Sequence, residues 1–370
     1  MKDLSFFNDI PGMSIDYLES LRLDKSFNFL PTKRGSTKFG KKINMGYNCY
    51  AIKLYKITNN WEKLEQNKKS EWINFLLNYQ NYDDKRYKNY FIDSEVINYF
   101  NNPFSVYRLK NNLKSALNSF AGKNYELMEN HVFKTINADN KQVISTLKEV
   151  NSDILKTPLI DLNNFDNVED YLSSYDWKKP WDAGAQFWSL SVYSETFNLG
   201  LDKRLYNFIS NRLDKDSGSY FDGKPENSRQ IINGAMKVIS GLDWLNKEIH
   251  LPNRLIDYCL GNKPKFEGCD LVDYVYVLYK CSSQSTYRKK EVNNVLLEVL
   301  DYLKLLYHRQ EKGFSYFVNK SQTHYYGINI SSGKNFADIH GTILSIWAIV
   351  MILESLEQNN FKYKTIKPWW

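Results

Sequence analysis

The chain has 370 residues, of which 42% are hydrophobic and only 9 are proline and 17 glycine, so it can fill a large core and is neither disordered nor collagen-like. Lys and Arg number 49 against 42 Asp and Glu, a net charge of +7. The acids are interspersed with the bases, the pattern of a solvated surface, which disfavours nucleic acid as a partner.

Apolar residues recur at i, i+3, i+4 and i+7 in segment after segment, and strict alternation over strand-length windows is scarce, so the predicted fold class is all-α. Residues 1–39 form a predicted N-terminal extension packed on the main domain, with a first helical stripe at Tyr17, Leu18, Leu21 and Leu23. Gly35 to Lys42 has the glycines and lysine of a phosphate loop. Lys42 stands where a hydroxyl would bind magnesium, and no strand precedes it, so the segment reads as a basic loop.

From residue 40 to 360 two kinds of helix alternate. Six segments are rich in small and apolar residues and poor in charge: Asn44 to Lys56, Val143 to Val150, Ala183 to Leu199, Ile231 to Leu245, Leu271 to Cys281 and Ile339 to Glu354. Between them lie charged, one-sided segments such as Trp61 to Tyr79 and Arg288 to Tyr307. Pro103, Pro158, Pro180, Pro225, Pro252 and Pro264 punctuate the series of about twelve to fourteen helices. Residues 361–370 form a tail. Its end, Lys367-Pro-Trp-Trp370, cannot be helical across the proline, and the tryptophans are placed to dock on the domain or on a partner.

A low-charge helix is enclosed and a striped, charged helix covers it, so the alternation predicts inner and outer rings around a hollow centre. The expected architecture is an α/α toroid over residues 40–360, complete or incomplete, with an irregular helical bundle as the alternative. The last five low-charge segments recur at a helix-hairpin period with one insertion. Asp216 to Gly223 and Glu311 to Phe317 each put a glycine and paired aromatics in the turn before such a helix.

Cys49, Cys259, Cys269 and Cys281 lack CxxC spacing and are too few for a disulfide framework, so they read as reduced thiols. No window reaches the roughly 18 apolar residues that span a bilayer. Met1 to Phe7 carries no basic segment followed by a long apolar run. The expected location is the cytoplasm, with no transmembrane segment and with peripheral contact to a membrane left open.

The glycine-aromatic turns and alternating helices resemble the α/α toroid of terpenoid cyclases and protein prenyltransferase β subunits. Trp177-Lys-Lys-Pro-Trp-Asp-Ala-Gly184, Ile232 to Trp244 and Ala337-Asp-Ile-His-Gly-Thr342 resemble, more narrowly, an uncharacterised bacterial branch associated with surface-polysaccharide biosynthesis. In the prenyltransferase β subunits zinc is held by an aspartate, a cysteine two residues later and a distant histidine. Leu271 to Tyr276 resembles the segment with the first two ligands, which puts Asp273 on the aspartate and His340 on the histidine, but Val275 stands where the cysteine should be. Two ligands are too few for zinc unless Cys269 or Asp270 substitutes, so no metal and no cofactor is expected. The Asp-x-Asp-Asp acid of proton-initiated cyclases is absent as well.

The strongest constellation is Asp338-Ile-His340-Gly-Thr342, opening the last low-charge helix. Asp338 has the position of an N-cap, and His340 on the first turn carries the side chain that titrates near neutrality. Asp338, His340 and Asp273 are the candidate catalytic residues. Carboxylates and aromatics expected at the mouth of the ring, as substrate contacts, are Asp182, Asp222 and Asp270 with Trp181, Trp188, Tyr220, Tyr276 and Trp347. Paired carboxylates suit acid–base work on a glycoside, and flat aromatic faces suit sugar rings and isoprenoid chains alike. The resemblance then implies an enzyme of bacterial surface-glycan or lipid-linked sugar biosynthesis with an acidic, aromatic cavity and a small-molecule glycan or lipid-linked sugar as substrate. The rivals are an isoprenoid transferase or cyclase and a non-catalytic binding or scaffold protein.

Overall fold

The computed structural model describes residues 4–23, 26–81, 87–102, 106–122, 125, 127–152, 156, 167–357 and 362–369. Met1, Pro103, Pro158 and Trp370, named above, lie outside the described residues. The chain is mostly helical. Its helices are α1 (Ser5–Ser20), α2 (Met45–Ile57), α3 (Gln66–Leu77), α4 (Ser94–Asn101), α5 (Val106–Ala121), α6 (Met128–Glu149) and α7 (Val168–Ser173). They continue with α8 (Pro180–Phe197), α9 (Asp202–Ser210), α10 (Ser228–Trp244), α11 (Pro252–Gly261), α12 (Gly268–Gln284), α13 (Lys289–Leu306) and α14 (Ile339–Ser355). A 3-10 turn at Asn78–Asn81 and three short antiparallel hairpins, β1–β2 (Arg22–Leu23 with Asn28–Phe29), β3–β4 (Tyr307–His308 with Gly313–Phe314) and β5–β6 (His324–Tyr325 with Ile328–Asn329), complete the described elements. No described helix is long and apolar enough to cross a membrane.

The six low-charge segments fall on α2, α6, α8, α10, α12 and α14, and these helices touch in a cycle: α2 to α6, α6 to α8, α8 to α10, α10 to α12, α12 to α14, and α14 back to α2. Their composition explains it. α14 is buried without a break from Ile339 to Leu353, which only a helix enclosed on all sides tolerates. The striped helices lie against members of the cycle, α11 on α12, α9 on α8, α13 on α14 and α12, and α1 on α14 and α2. α13 buries Val292, Val295, Leu296, Val299, Leu300, Leu303 and Leu306 and leaves its charges in water.

Local chemistry sets where the elements start and how closely they pack. Pro180 and Pro252, which the sequence marks as breakers, are the first residues of α8 and α11, where a missing N–H costs nothing. Asn227 caps α10 by accepting from the Gln230 amide at 3.0 Å. α8 and α10 approach closely because α10 presents glycine: a Cβ at Gly234 would lie 2.6 Å from Pro180 Cβ, and one at Gly241 only 2.5 Å from the Phe187 ring.

Residues 362–369 run extended across the carboxyl-terminal ends of α10 and α14. Trp244 Nε1 donates to the Pro368 carbonyl at 2.9 Å, Trp347 Nε1 to the Ile366 carbonyl at 3.3 Å, and the Thr365 amide to Glu354 at 2.8 Å. Trp369 is fully buried edge-on against Trp347, with 5.1 Å between ring centroids. Of the tail's two docking options, the tail takes the domain itself for Trp369.

Candidate functional site

A cavity of about 360 Å³ lies at the amino-terminal ends of α8, α12 and α14, bounded also by α6, by the middle of α2 and α10, and by the β5–β6 hairpin. Its walls are aromatic: Tyr50 from α2, Trp181 from α8, and Tyr316, Tyr325 and Tyr326 from the segments before α14. Tyr326 holds a left-handed backbone (φ 44°), a costly conformation for an aromatic residue that the following Gly327 and the tight β5–β6 turn impose.

Two lysines distinguish the interior. Lys141 of α6 and Lys237 of α10 are both buried, and both sit over Trp188, the Lys141 Nζ 3.3 Å and the Lys237 Nζ 5.2 Å from the centre of its ring. A ring face attracts an ammonium ion, which is how two cations are held on one indole inside the fold. Burial, and then the neighbouring Lys237 charge, push the Lys141 amine well below its ordinary value. Asp273 of α12 and, toward Lys141, Asp139 of α6 are the nearby counter-charges. Asp273 is fully buried, its Oδ1 lies 3.9 Å from Lys237 Nζ, and neither of its oxygens accepts a hydrogen bond from a described residue. Burial raises its carboxyl to about 7, against the pull of Lys237.

His340 stacks on Tyr50 with ring centroids 4.7 Å apart and planes 9° from parallel, and faces the cavity. Neither ring nitrogen has a hydrogen-bond partner among the described residues. Burial, with the Lys237 charge, lowers it to about 3, so the imidazole is neutral at physiological pH. Elsewhere in the lining, Tyr325 donates its hydroxyl hydrogen bond to Asp139, whose carboxyl burial raises to about 7. Lys134 and Asp182 form a partly exposed pair at the mouth, 3.5 Å apart.

Asp338 is placed differently from His340. It is buried behind the cavity wall, and its carboxylate accepts three backbone N–H bonds, from Tyr316 at 2.7 Å, Gln322 at 3.0 Å and Gly341 at 2.7 Å. It therefore caps α14 and ties the preceding loop to it. Of the expected substrate contacts, Trp181 and Asp182 line the cavity and Trp188 lies under its lysines. The others are engaged elsewhere. Asp270 takes both of its oxygens to Arg229 (2.9 and 2.8 Å), which also lies over Trp181, and accepts from Asn233. Asp222 pairs with Arg212 at the surface. Tyr220 bonds His250 behind α9, with the hydroxyl 3.1 Å from Nδ1. Tyr276 donates to Asp243 and stacks on Trp347 at the tail end of the cycle.

The lining is thus basic and aromatic where the sequence suggests acid and aromatic, because arginines take up the outer carboxylates and lysines occupy the interior. Lys134, Lys141, Lys237, Tyr50, Tyr316 and Tyr326 are among the lining residues that the sequence alone does not single out. The readable signal was Lys237 itself, a charge in the middle of the otherwise uncharged run from Ile231 to Leu242. Among the described residues no three His, Cys, Asp or Glu side chains gather to hold a metal ion. Cys269, in the cavity wall, accepts from the Tyr316 hydroxyl at 3.0 Å, and its thiol is pushed up to about 11 by burial. Comparison of the chain with protein-family models, curated proteins and solved structures finds no match.

Proposed function

We propose that the six-helix cycle is the inner ring of an α/α toroid and that its cavity binds and transforms a phosphorylated or lipid-linked sugar, as an enzyme of surface-glycan assembly. The observation that carries this reading is the pair of buried lysines over Trp188 inside an aromatic-walled cavity. Two enclosed ammonium groups, with Asp273 and Asp139 as nearby carboxylates, are costly in a low-dielectric site. A phosphate between them would offset that cost, and the flat faces of Tyr50, Tyr316 and Trp181 suit a sugar ring. The neutral imidazole of His340 supplies a proton acceptor in the same wall. An anion bound beside Lys237 would offset the repulsion that holds His340 down and move it toward the range where acid–base catalysis is efficient. The reduced cysteines read from the sequence suit a cytoplasmic setting.

The test is thermal protection by ligand class. Sugar 1-phosphates and nucleotide-diphosphate sugars are expected to raise the melting temperature, and neutral oligosaccharides of the same sugars are not. Protection by an undecorated polyprenyl diphosphate with none by any sugar phosphate would favour an isoprenoid transferase instead. No protection by either class would point to a scaffold.

The titration of Asp273 gives a second expected result. As pH falls through about 7 its carboxylate takes up a proton, so the cluster with Lys141 and Lys237 gains one positive charge. Sulfate, which stays dianionic across this range, is expected to bind more tightly at pH 6 than at pH 8, by about tenfold. Asp273→Asn should reduce that dependence, the remainder coming from Asp139 beside Lys141, whose carboxyl burial also raises to about 7. His340, neutral throughout, contributes no step of its own to the sulfate-free protein, and an unchanged slope in Asp273→Asn would refute the assignment.

A further inference from the structure

We infer that α5 is a membrane-docking helix, which lays its leucine face on an anionic lipid surface and so holds the mouth of the cavity beside the bilayer. None of its described side chains is buried. Leu109, Leu113 and Phe120 are 63%, 62% and 91% exposed, and Leu117 stands out beside them. At 100° per residue, Leu109, Leu113, Ala116, Leu117 and Phe120 share one side of the helix, an apolar stripe that nothing described covers.

The occupant follows from charge. Val106 to Ala121 contains Arg108, Lys110 and Lys114 and no Asp or Glu. Lys110 and Lys114 fall next to Leu113 and Leu117 on the wheel, along the border of the stripe, where a long side chain can bury its methylenes and hold its ammonium at the lipid headgroups. An apolar stripe of Leu and Phe edged by cations, on a helix of about 24 Å, fits the boundary of an anionic leaflet. A protein groove would more often meet such a helix with acids of its own.

The position of α5 connects this surface to the cavity. The helix packs on α4 and α6, and Asn111 Oδ1 accepts from the amide of Met128, the first residue of α6, at 2.6 Å. One turn further along α6, His131 is already in the cavity wall, and Lys134 follows at its mouth. A lipid-linked sugar would therefore reach the cavity from the surface on which α5 rests. That last step depends on the proposed function, but the docking itself does not.

The full chain is tested by co-sedimentation with vesicles of phosphatidylcholine alone and with added phosphatidylglycerol. The expected result is binding to the anionic vesicles, weakened about tenfold by high salt and by Lys110→Glu with Lys114→Glu, and about tenfold or more by Leu113→Glu. Because Lys110 and Leu113 are exposed and Lys114 is only half-buried, the variants should melt close to the parent, and the charge variant decides the matter if Leu113→Glu does not. No binding to anionic vesicles, or binding that the variants leave unchanged, overturns the inference. So does a dimer in light scattering that Leu113→Glu dissociates, since a second copy would then cover the stripe. Sugar-phosphate binding in solution, measured on the same variants, should be unaffected. Vesicle binding by a protein that takes up no sugar phosphate would leave the docking intact and remove the cavity reading.

Discussion

Lys141→Met is expected to lower affinity for a sugar 1-phosphate by about a hundredfold while leaving the protein at least as stable as the parent. The loss follows from the site: removing one member of a buried, hydrogen-bonding charge pair costs about 2–5 kcal/mol of binding, and each 1.4 kcal/mol is roughly a factor of ten. The stability follows from the same burial. Lys141 is enclosed, its amine is held well below its ordinary value by burial and by Lys237, and methionine fills nearly the same volume over the Trp188 face without a charge. Isothermal titration and a thermal melt on one preparation read both quantities. A residue whose removal stabilises the fold and abolishes binding is kept for the ligand, whereas a Lys141→Met protein that melts early and binds normally would make the lysine structural.

The enclosed helices were legible because burial leaves a compositional trace. Six segments with few charges became the six members of the contact cycle, and the stripe ending at Leu306 became the inner face of α13. The alternation of the two kinds of helix carried that much of the architecture. His340 and Trp181 were legible as cavity residues for a related reason, since both sit in the first turn of an enclosed helix. The charge of the site was not. Which carboxylates stay available depends on which arginines fold against them, and Arg229 and Arg212 reach Asp270 and Asp222 across 41 residues and 10 residues of sequence respectively, with no local pattern to announce either pair. Lys141 and Lys237 converge on Trp188 from two different helices, a meeting that periodicity does not encode. Tyr276 and Trp347 have the spacing of core aromatics and are core aromatics, at the end of the cycle closed by Trp369.

Asp338→Ala should destabilise the protein by about 3–5 kcal/mol, the largest stability effect expected of a single polar substitution here. Three backbone N–H groups lose their acceptor, and a buried donor left unsatisfied costs about 1–3 kcal/mol each, partly recovered by relaxation. Relaxation is limited at this junction. A Cβ on the neighbouring Gly341 would lie 2.4 Å from the Tyr316 nitrogen and 2.5 Å from the Ser315 carbonyl carbon, so the α14 start and the Tyr316 segment are packed backbone to backbone. Asp338→Asn keeps one accepting oxygen and should lose roughly half as much. Chemical denaturation of the two variants reads the difference. If either retained the parent stability and lost only turnover, Asp338 would be a catalytic group and not the cap described above. Tyr316 and His340 flank Asp338, so the cap also sets the cavity wall, and sugar-phosphate binding should weaken in step with stability.

The most direct test of the central claim is a crystal structure of the protein with a bound sugar 1-phosphate. The phosphorus should lie within the cavity, with its oxygens in hydrogen-bond reach of both Lys141 and Lys237, and the sugar ring against Tyr50, Tyr316 or Trp181. A ligand seated elsewhere, or a phosphate in the cavity that touches neither lysine, would contradict the account.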